Sequence, residues 1–202
     1  MADTYSVPDG WNRNTHYHDR LLAALPADCR RVLDVGCGTG AFARRLARVV
    51  QHVDALDRDL AVLAQARRLS VDVPNVRFVE ADFMTWQPEG AYDAVSMVAV
   101  LHHLPFRAAL IRAAGLLGSG GVLVVLGLDR SPSFSHYVAT GAAATLISAW
   151  YRMFYRSAPV GAPITAPMMT LREIREEGAS LLPGVVIRRH ALLRYSLLWT
   201  KP

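Results

Sequence analysis

The chain has 202 residues, which is enough for one domain with a well-formed core and too few for two ordinary domains. With 52% hydrophobic residues and a formal net charge of +5, it should fold and not remain disordered. The 22 basic residues, of which only Lys201 is a lysine, are scattered along the sequence and do not form the dense stripe that nucleic-acid binding requires, so we expect no nucleic-acid partner.

The two cysteines, Cys29 and Cys37, lie close together in the sequence and have no further partners. A disulfide framework or a zinc site is therefore not expected, and the pair His16 and His18 alone is a weak metal signal. The first ten residues contain no apolar run, so they do not resemble a signal peptide. These features predict a cytoplasmic protein without a metal.

Strand-like and helix-like patterns alternate along the first two thirds of the chain. Short apolar runs predict strands, and apolar residues at helical spacing predict the helices between them. The predicted strands are 31–35, 52–57, 76–80, 92–98 and 122–128, and the predicted helices are 41–50, 59–69 and 105–117. Such alternation predicts right-handed crossovers and a parallel sheet.

The end of the chain has a different pattern, with two strand-like stretches, 185–187 and 195–199, separated by only a few residues. A close pair indicates an antiparallel hairpin at a sheet edge. We therefore expect an α/β fold with a mostly parallel seven-stranded sheet, helices on both faces and an antiparallel C-terminal hairpin. The chain should form a single domain over residues 1–202, with an N-terminal cap at 12–30, a cofactor-binding core at 31–128, an inserted substrate-cap segment at 133–182 and the hairpin at 184–200.

The inserted segment is longer than a plain crossover needs. Residues 135–156 read as a long apolar helix, a proline-containing loop follows, and a further helix spans 170–181, with Thr170 and Glu173 forming a capping box. We expect residues 135–167 to cover the substrate pocket with apolar side chains: Trp150, Met153 and Phe154. Polar residues interrupt the long helix, which favours a cap over a membrane span, so we expect no stable membrane insertion.

A glycine-rich turn between the first strand and the first helix is the strongest signal. It occupies residues 33–40, and Asp57 ends the next strand, where a carboxylate can accept both hydroxyl protons of a ribose. The loop also satisfies a loose dinucleotide pattern. Asp34, two residues before the first glycine, suits a cationic amino-acid tail and would repel a pyrophosphate. Asp82 can accept a hydrogen bond from an adenine amino group while Phe83 packs on the ring.

With these motifs, the sequence resembles the class I S-adenosylmethionine-dependent methyltransferases over roughly residues 12–128. Residues 33–40 are similar to the first motif of that family, Asp57 to its ribose-binding acid, and 92–95 to its fourth motif. Residues 101–105 are similar to a stretch found in members that act on small molecules. Residues 117–123 are similar to the turn into the fifth strand, although Ser119 stands where proline is usual.

The resemblance implies S-adenosylmethionine as the cofactor and a small-molecule acceptor reacting at an O, N or C atom. In related enzymes an N-terminal segment folds over the cofactor, which makes two residues of that segment candidate contacts. The expected cofactor-binding residues are Tyr17, His18, Asp34, Gly36, Cys37, Gly38, Asp57, Arg58, Asp82, Phe83 and Val98. Residues 96–100 lack the polar and proline-rich motif of enzymes that methylate base amines, and no cysteine nucleophile lies there, which again disfavours nucleic acid.

Three residues at the ends of the fourth and fifth strands are the candidate catalytic groups. His102 and His103 are neighbours and must point in different directions, so we expect only one of them to enter the pocket and act as a general base. Asp129 could orient that histidine or bind the acceptor. Ligands bind at the carboxyl ends of strands in open α/β sheets, which supports this placement.

Alternative functions share part of this pattern. An NAD-dependent oxidoreductase would use the same glycine loop and Asp57, and equilibrium binding of the two cofactors would separate it from a methyltransferase. A non-catalytic cofactor-binding module would keep the cofactor pocket without methylating any acceptor. A membrane-associated lipid methyltransferase is a further alternative, motivated by the apolar residues 138–154. The substrate and the oligomeric state do not follow from the sequence.

Overall fold

A computed structural model describes residues 12–130, 166–191 and 194–202. Within these ranges the chain forms one seven-stranded sheet flanked by helices, with strand order β3-β2-β1-β4-β5-β7-β6. The strands are β1 (Arg31–Val35), β2 (His52–Asp57), β3 (Val76–Glu80), β4 (Tyr92–Val98), β5 (Leu117–Gly127), β6 (Val186–His190) and β7 (Arg194–Thr200). The helices are α1 (His18–Leu22), α2 (Ala41–Leu46), α3 (Leu60–Arg68), α4 (Phe106–Leu116) and α5 (Leu171–Leu181).

The first five strands are parallel, and the last two form an antiparallel hairpin whose outer strand, β6, lies at the edge of the sheet. The predicted fold class is therefore confirmed. Strands β1 to β4 have the predicted bounds, because each is an apolar run ended by turn residues. The order places β1 beside β4, so the glycine loop and the segment after β4 lie next to each other at the carboxyl edge of the sheet.

Several predicted boundaries differ from the structure, and three of these differences have a clear local cause. Helix α2 ends at Leu46, and 47–50 continue as a tighter turn closed partly by bonds between residues three apart. Pro105 precedes α4 as its N-cap and does not lie in its first turn. Strand β5 begins at Leu117, five residues before the predicted start, because the glycine stretch pairs with the C-terminus: Gly120 N–H donates to the Lys201 carbonyl at 2.9 Å.

The core lies on both faces of the sheet, since alternate residues of each strand enter different apolar clusters. One cluster contains Leu33, Val95 and Leu123 together with side chains of α4 and α5. The other contains Val32, Ala94 and Val124 together with side chains of α1 and α2. This alternation follows from the pleat of a strand, in which successive side chains point to opposite faces of the sheet.

The described part of the inserted segment begins at residue 166 and includes α5. Thr170 caps this helix, and Glu173 returns a bond to the cap, which confirms the predicted capping box. The predicted long helix and Trp150, Met153 and Phe154 lie outside the described residues, so their role over the pocket stays a prediction. None of the helices in the described ranges combines the length and apolar character needed to cross a membrane.

Candidate functional site

The glycine loop adopts a conformation that side chains disfavour. Gly36 and Gly38 have φ angles of 65° and 55°, in the left-handed region. A Cβ on Gly36 would lie 2.4 Å from a Val100 methyl carbon, so glycine allows the loop to contact the segment after β4. A Cβ on Gly38 would meet nothing within 4 Å, which leaves open space beside the backbone. The loop is thus packed tightly at Gly36, and at Gly38 its backbone is open to contact with a bound cofactor.

Asp57 connects the end of β2 to this loop. Its Oδ2 accepts a hydrogen bond from Gly38 N–H at 2.9 Å, and its Oδ1 accepts one from Asp59 N–H at 3.1 Å. The carboxylate therefore fixes the loop, and each oxygen retains a further lone pair for a ligand. Cys37, within the loop, donates its N–H to the Leu56 carbonyl, and burial raises the pKa of its thiol. That thiol is consequently a neutral contact surface.

Asp34 is buried in β1 with 1% of its surface exposed. Its Oδ1 accepts a hydrogen bond from the Ser96 hydroxyl at 2.7 Å, and its Oδ2 has no partner among the described residues. Burial raises the pKa of Asp34 to about 7, the Ser96 bond opposes this shift, and Asp57 adds to it. A buried carboxylate with one free oxygen is costly unless a cation or donor completes it, and it is poised to receive a positive ligand.

The loop after β3 contains the two residues expected to contact an adenine ring. Asp82 is exposed, and its Oδ1 accepts a hydrogen bond from Met84 N–H at 2.8 Å, so it remains available to a ligand. Phe83, expected to pack on an adenine ring, is a core residue with 4% of its surface exposed. The Arg112 guanidinium lies 5.6 Å from the centre of its ring. The packed protein thus covers most of the Phe83 ring, and its contact with an adenine ring stays a prediction.

The segment after β4 is held in an unusual conformation. Ala99 has a φ of 56°, the one left-handed residue other than glycine among the described residues, and its N–H donates to the Leu126 carbonyl at 2.7 Å. Such a conformation is strained for a residue with a Cβ, and strain of this kind clusters at functional sites. It turns the chain from β4 into a short 3₁₀ turn at Leu101–His103.

The two histidines of that turn have different surroundings. Burial lowers the pKa of His102 to about 4, with smaller contributions from His103 and Arg194, and its Nδ1 is buried without a partner among the described residues. The pKa of His103 is also lowered, by burial and by Arg58. The two rings lie 4.0 Å apart. His102 lines a cavity and His103 is not among its described lining residues, which distinguishes the two.

The cavity has a volume of about 220 Å³ and lies between the 3₁₀ turn, the end of β5 and the start of α5. His102 and Tyr195 are the titratable side chains among its described lining residues. Apolar side chains form most of the remaining wall: Leu104, Phe106, Leu128, Met168, Met169 and Ile174. Pro167, the last residue of the range 135–167 that was expected to cover the pocket, also lines it. This is an apolar pocket with a few polar groups, as is usual for small-molecule sites.

The N-terminal segment packs on the fold in a way that the sequence did not predict. Tyr17 was expected at the cofactor, but its hydroxyl donates to the Ala191 carbonyl at 2.8 Å and its ring is buried. It therefore attaches this segment to the hairpin. His18 is 2% exposed, packs against Phe42 and has an Nδ1 without a partner in the described chain. Burial lowers the pKa of His18 to about 3, so the ring is neutral near pH 7.

Three further predicted residues lie near the same edge with differing exposure. Asp129, a candidate catalytic group, is buried, and its Oδ2 accepts a hydrogen bond from Arg189 at 2.8 Å. That ion pair attaches the edge strand β6 to the end of β5, and the role of Asp129 in orienting a histidine or binding the acceptor stays a prediction. Arg58 is exposed directly after β2, and Val98, which ends β4, is half-buried.

Sequence reasoning missed several residues of this region. Ser96, the partner of Asp34, lies in the buried part of β4, and its register opposite Asp34 becomes visible only once β1 is paired with β4. Arg194, mostly buried, donates to the Asn14 side chain at 3.0 Å, and burial lowers its pKa to about 10. Tyr195 faces the cavity from the hairpin, which gave no sequence signal for a site.

Comparison with known proteins identifies the class. A family model described as a methyltransferase domain matches residues 32–121. An uncharacterized methyltransferase of Mycobacterium tuberculosis is 39% identical over 201 residues, which span 95% of this chain and 98% of that protein. A ubiquinone biosynthesis O-methyltransferase of Xanthomonas campestris is 39% identical over 130 residues, 61% of this chain and 54% of that protein.

Solved methyltransferases share the fold. The S-adenosylmethionine-bound amino pentose methyltransferase CalS10 from Micromonospora echinaspora aligns with a TM-score of 0.61 and 24% identity, over 94% of this chain and 90% of its own. The DhpI complex with S-adenosylhomocysteine gives a TM-score of 0.64 and 21% identity, over 95% and 89% of the two chains. Together with the sequence relatives, these findings show that the chain belongs to the class I S-adenosylmethionine-dependent methyltransferases. S-adenosylmethionine is its cofactor, and the oxidoreductase alternative is set aside.

Proposed function

We propose that this enzyme methylates a small-molecule acceptor bound in the cavity after β4, with His102 as the general base. One observation carries the proposal: His102 lines an apolar cavity at the carboxyl ends of β4 and β5, and its buried Nδ1 has no partner within the described ranges. A buried nitrogen without a hydrogen bond costs free energy in the free protein, and a ligand proton would remove that cost.

The glycine loop and its acidic neighbours fit the cofactor. Asp34 would face the cationic amino-acid portion with its free Oδ2, and Asp57 would accept the ribose hydroxyl protons while it holds Gly38. Cys37, Arg58, Asp82, Val98 and the buried His18 remain proposed contacts of the same ligand. The bound cofactor supplies an already activated methyl group, so the chain needs only to align an acceptor and remove its proton.

The low pKa of His102 suits this role. At pH 7 the ring is neutral and can accept a proton, because burial disfavours its charged form. A weak base is sufficient, since an acceptor atom becomes strongly acidic as its new bond to carbon forms. We therefore expect turnover to be insensitive to pH around neutrality and to fall as the pH decreases toward about 4, where His102 takes up a proton.

The relatives support a small acceptor. The Xanthomonas campestris protein is named for O-methylation in ubiquinone biosynthesis, and CalS10 is an amino pentose methyltransferase. Both act on small molecules by their names, and the cavity of about 220 Å³ has room for a fragment of that size. The Xanthomonas campestris protein has the higher sequence identity of the two, and its name supports oxygen as the acceptor atom.

Transfer of labelled methyl groups from S-adenosylmethionine to a panel of small alcohols, phenols and amines tests the proposal. The His102→Ala variant should lose about a hundredfold or more in turnover, while its affinity for S-adenosylhomocysteine remains the same. His103→Ala should change turnover by less than about threefold. Equal turnover in both variants would remove the general-base role. Tight cofactor binding without methylation of any acceptor would instead favour the non-catalytic module.

A further inference from the structure

We propose that Tyr195 holds the acceptor by donating a hydrogen bond to its oxygen, and that the acceptor is an uncharged, largely apolar compound carrying a hydroxyl group. This inference rests on the proposed function and specifies its substrate class. Tyr195 is 2% exposed and is among the described residues that line the cavity. Buried tyrosine hydroxyls usually have a hydrogen-bond partner, and at a cavity wall a bound ligand can supply it.

The position of this hydroxyl is fixed by the strand pairing. Tyr195 lies opposite Gly127 in the β5–β7 register, and its ring occupies the space above that glycine. A Cβ on Gly127 would lie 2.2 Å from the Tyr195 Cζ and 2.4 Å from its hydroxyl oxygen. Glycine at 127 is thus required for a close approach, and the ring is held at the end of β5, where the cavity opens.

The charge state of the cavity selects the ligand class. Burial keeps His102 neutral at pH 7 and raises the pKa of the Tyr195 hydroxyl, so neither titratable lining group carries a charge. No Lys, Arg, Asp or Glu is among the described lining residues. An anionic or cationic acceptor would meet no counterion among these described lining residues, which is costly in apolar surroundings. At about 30 Å³ for each water, the volume corresponds to roughly seven waters, enough for one substituted ring.

The transfer step then follows. The acceptor oxygen forms a bond to the methyl carbon, and the sulfur–carbon bond breaks with its electron pair remaining on sulfur. The proton of the acceptor hydroxyl passes to His102, and Tyr195 keeps its own proton because it serves only as a donor. The products are the methyl ether and S-adenosylhomocysteine, and the proton on His102 is released to solvent.

Three matched probes test the binding claim without requiring turnover: 4-ethylphenol, ethylbenzene and 4-ethylbenzoate, titrated into the full chain saturated with S-adenosylhomocysteine. The phenol should bind about tenfold more tightly than the carboxylate. The Tyr195→Phe variant should weaken phenol binding about five- to tenfold and leave ethylbenzene binding unchanged, because one hydrogen bond is lost and the ring remains. As a matched control, Tyr92→Phe removes a buried tyrosine hydroxyl that donates to Asp54 at the other end of the sheet, and it should not change probe binding.

Gly127→Ala gives an independent check, since the added methyl group would displace the Tyr195 ring and reproduce the loss of phenol binding. Equal affinity of the phenol in wild type and in Tyr195→Phe would overturn the role of Tyr195, and stronger binding of the carboxylate would overturn the uncharged substrate class. Neither of these two binding results would affect the proposed function as long as the His102→Ala variant loses labelled methyl transfer. If the probes bind as expected but the His102→Ala variant keeps full methyl transfer, only the general-base proposal is contradicted.

Discussion

The two ends of the sheet treat buried polar groups in opposite ways. At the amino end, Asp54 of β2 is completely buried, and its carboxylate receives hydrogen bonds from Arg31, Arg77 and Tyr92, with the His52 ring 3.0 Å away. At the carboxyl end, Asp34, His18 and His102 each keep a buried atom without a partner in the described chain. The first arrangement stabilises the fold, and the second leaves hydrogen-bonding capacity for ligands.

The pKa shifts follow the same division. Burial alone would raise the pKa of Asp54, but hydrogen bonds from Arg77, Tyr92, His52 and Arg31 outweigh it and lower the pKa to about 2. For Asp34, a single hydrogen bond cannot offset burial, and the pKa is raised to about 7. Asp54, with all its hydrogen bonds made, and Asp34, with one oxygen lacking a described partner, thus lie on neighbouring strands. Asp34 marks the functional edge of the sheet.

Asp54→Ala should have the largest effect, a loss of about 3 kcal/mol or more in the free energy of unfolding. It would leave the Tyr92 hydroxyl buried without its partner and bring the Arg31 and Arg77 guanidinium groups into repulsion. Denaturant unfolding of the variant measures the loss. Glu177→Gln, which breaks an exposed pair with Arg107, is the control and should cost less than about 1 kcal/mol. Similar costs for both variants would contradict a special role of the amino end.

Asp34→Asn should weaken S-adenosylmethionine binding about a hundredfold, or about 2.7 kcal/mol, because the charged partner of a cationic ligand is lost. The same change should stabilise the free protein at pH 8. The folded chain keeps a proton on Asp34 up to pH 7 or so, whereas the unfolded chain releases it near 4, so stability is lost as the pH rises from about 4 to about 7. Thermal melts and calorimetry measure both effects. A destabilised variant with unchanged affinity would show that Asp34 serves the core alone.

Asp57→Ala should weaken cofactor binding by about 1.5–3 kcal/mol through the loss of the ribose contacts and of the Gly38 bond. The fold should remain intact, because neither hydrogen bond joins core elements. The control is Asp59→Ala, which removes the carboxylate that caps α3 and should lower stability by about 1 kcal/mol without changing affinity. If calorimetry gave equal affinities for the two variants, Asp57 would not belong to the cofactor site.

His18→Phe should have the smallest effect, a gain of about 1 kcal/mol in stability at pH 5 relative to wild type. The folded pKa of His18 is about 3, so below pH 6.5 the unfolded chain takes up a proton that the folded chain does not. Stability is therefore lost as the pH falls from 6.5 toward 3, and phenylalanine removes that loss. Urea unfolding at pH 5 and 7.5 checks the sign, and a gain limited to pH 7.5 would contradict it. A parallel loss of cofactor affinity would place His18 in the site.

The sequence predicted those features that depend on local pattern. The apolar runs of β1 to β4, the glycine loop and the position of Asp57 all follow from short stretches, and the structure agrees with them. The features that the sequence did not reveal are pairings between distant residues. Asp129 meets Arg189 across 60 positions, and Tyr17 meets Ala191 across 174. Neither contact can be predicted without knowing where the C-terminal hairpin packs. In the same way, the burial of Phe83 depends on the position of α4, which the sequence alone does not give.

Proton release on cofactor binding tests the central claim most directly, namely that Asp34 is left incomplete in order to receive a cation. Calorimetric titrations of S-adenosylmethionine at pH 7, in two buffers with different ionisation enthalpies, measure the protons exchanged. Since the pKa of Asp34 is about 7 in the free protein, wild type should release roughly half a proton more per bound cofactor than Asp34→Asn. Equal proton exchange in wild type and variant would contradict the account.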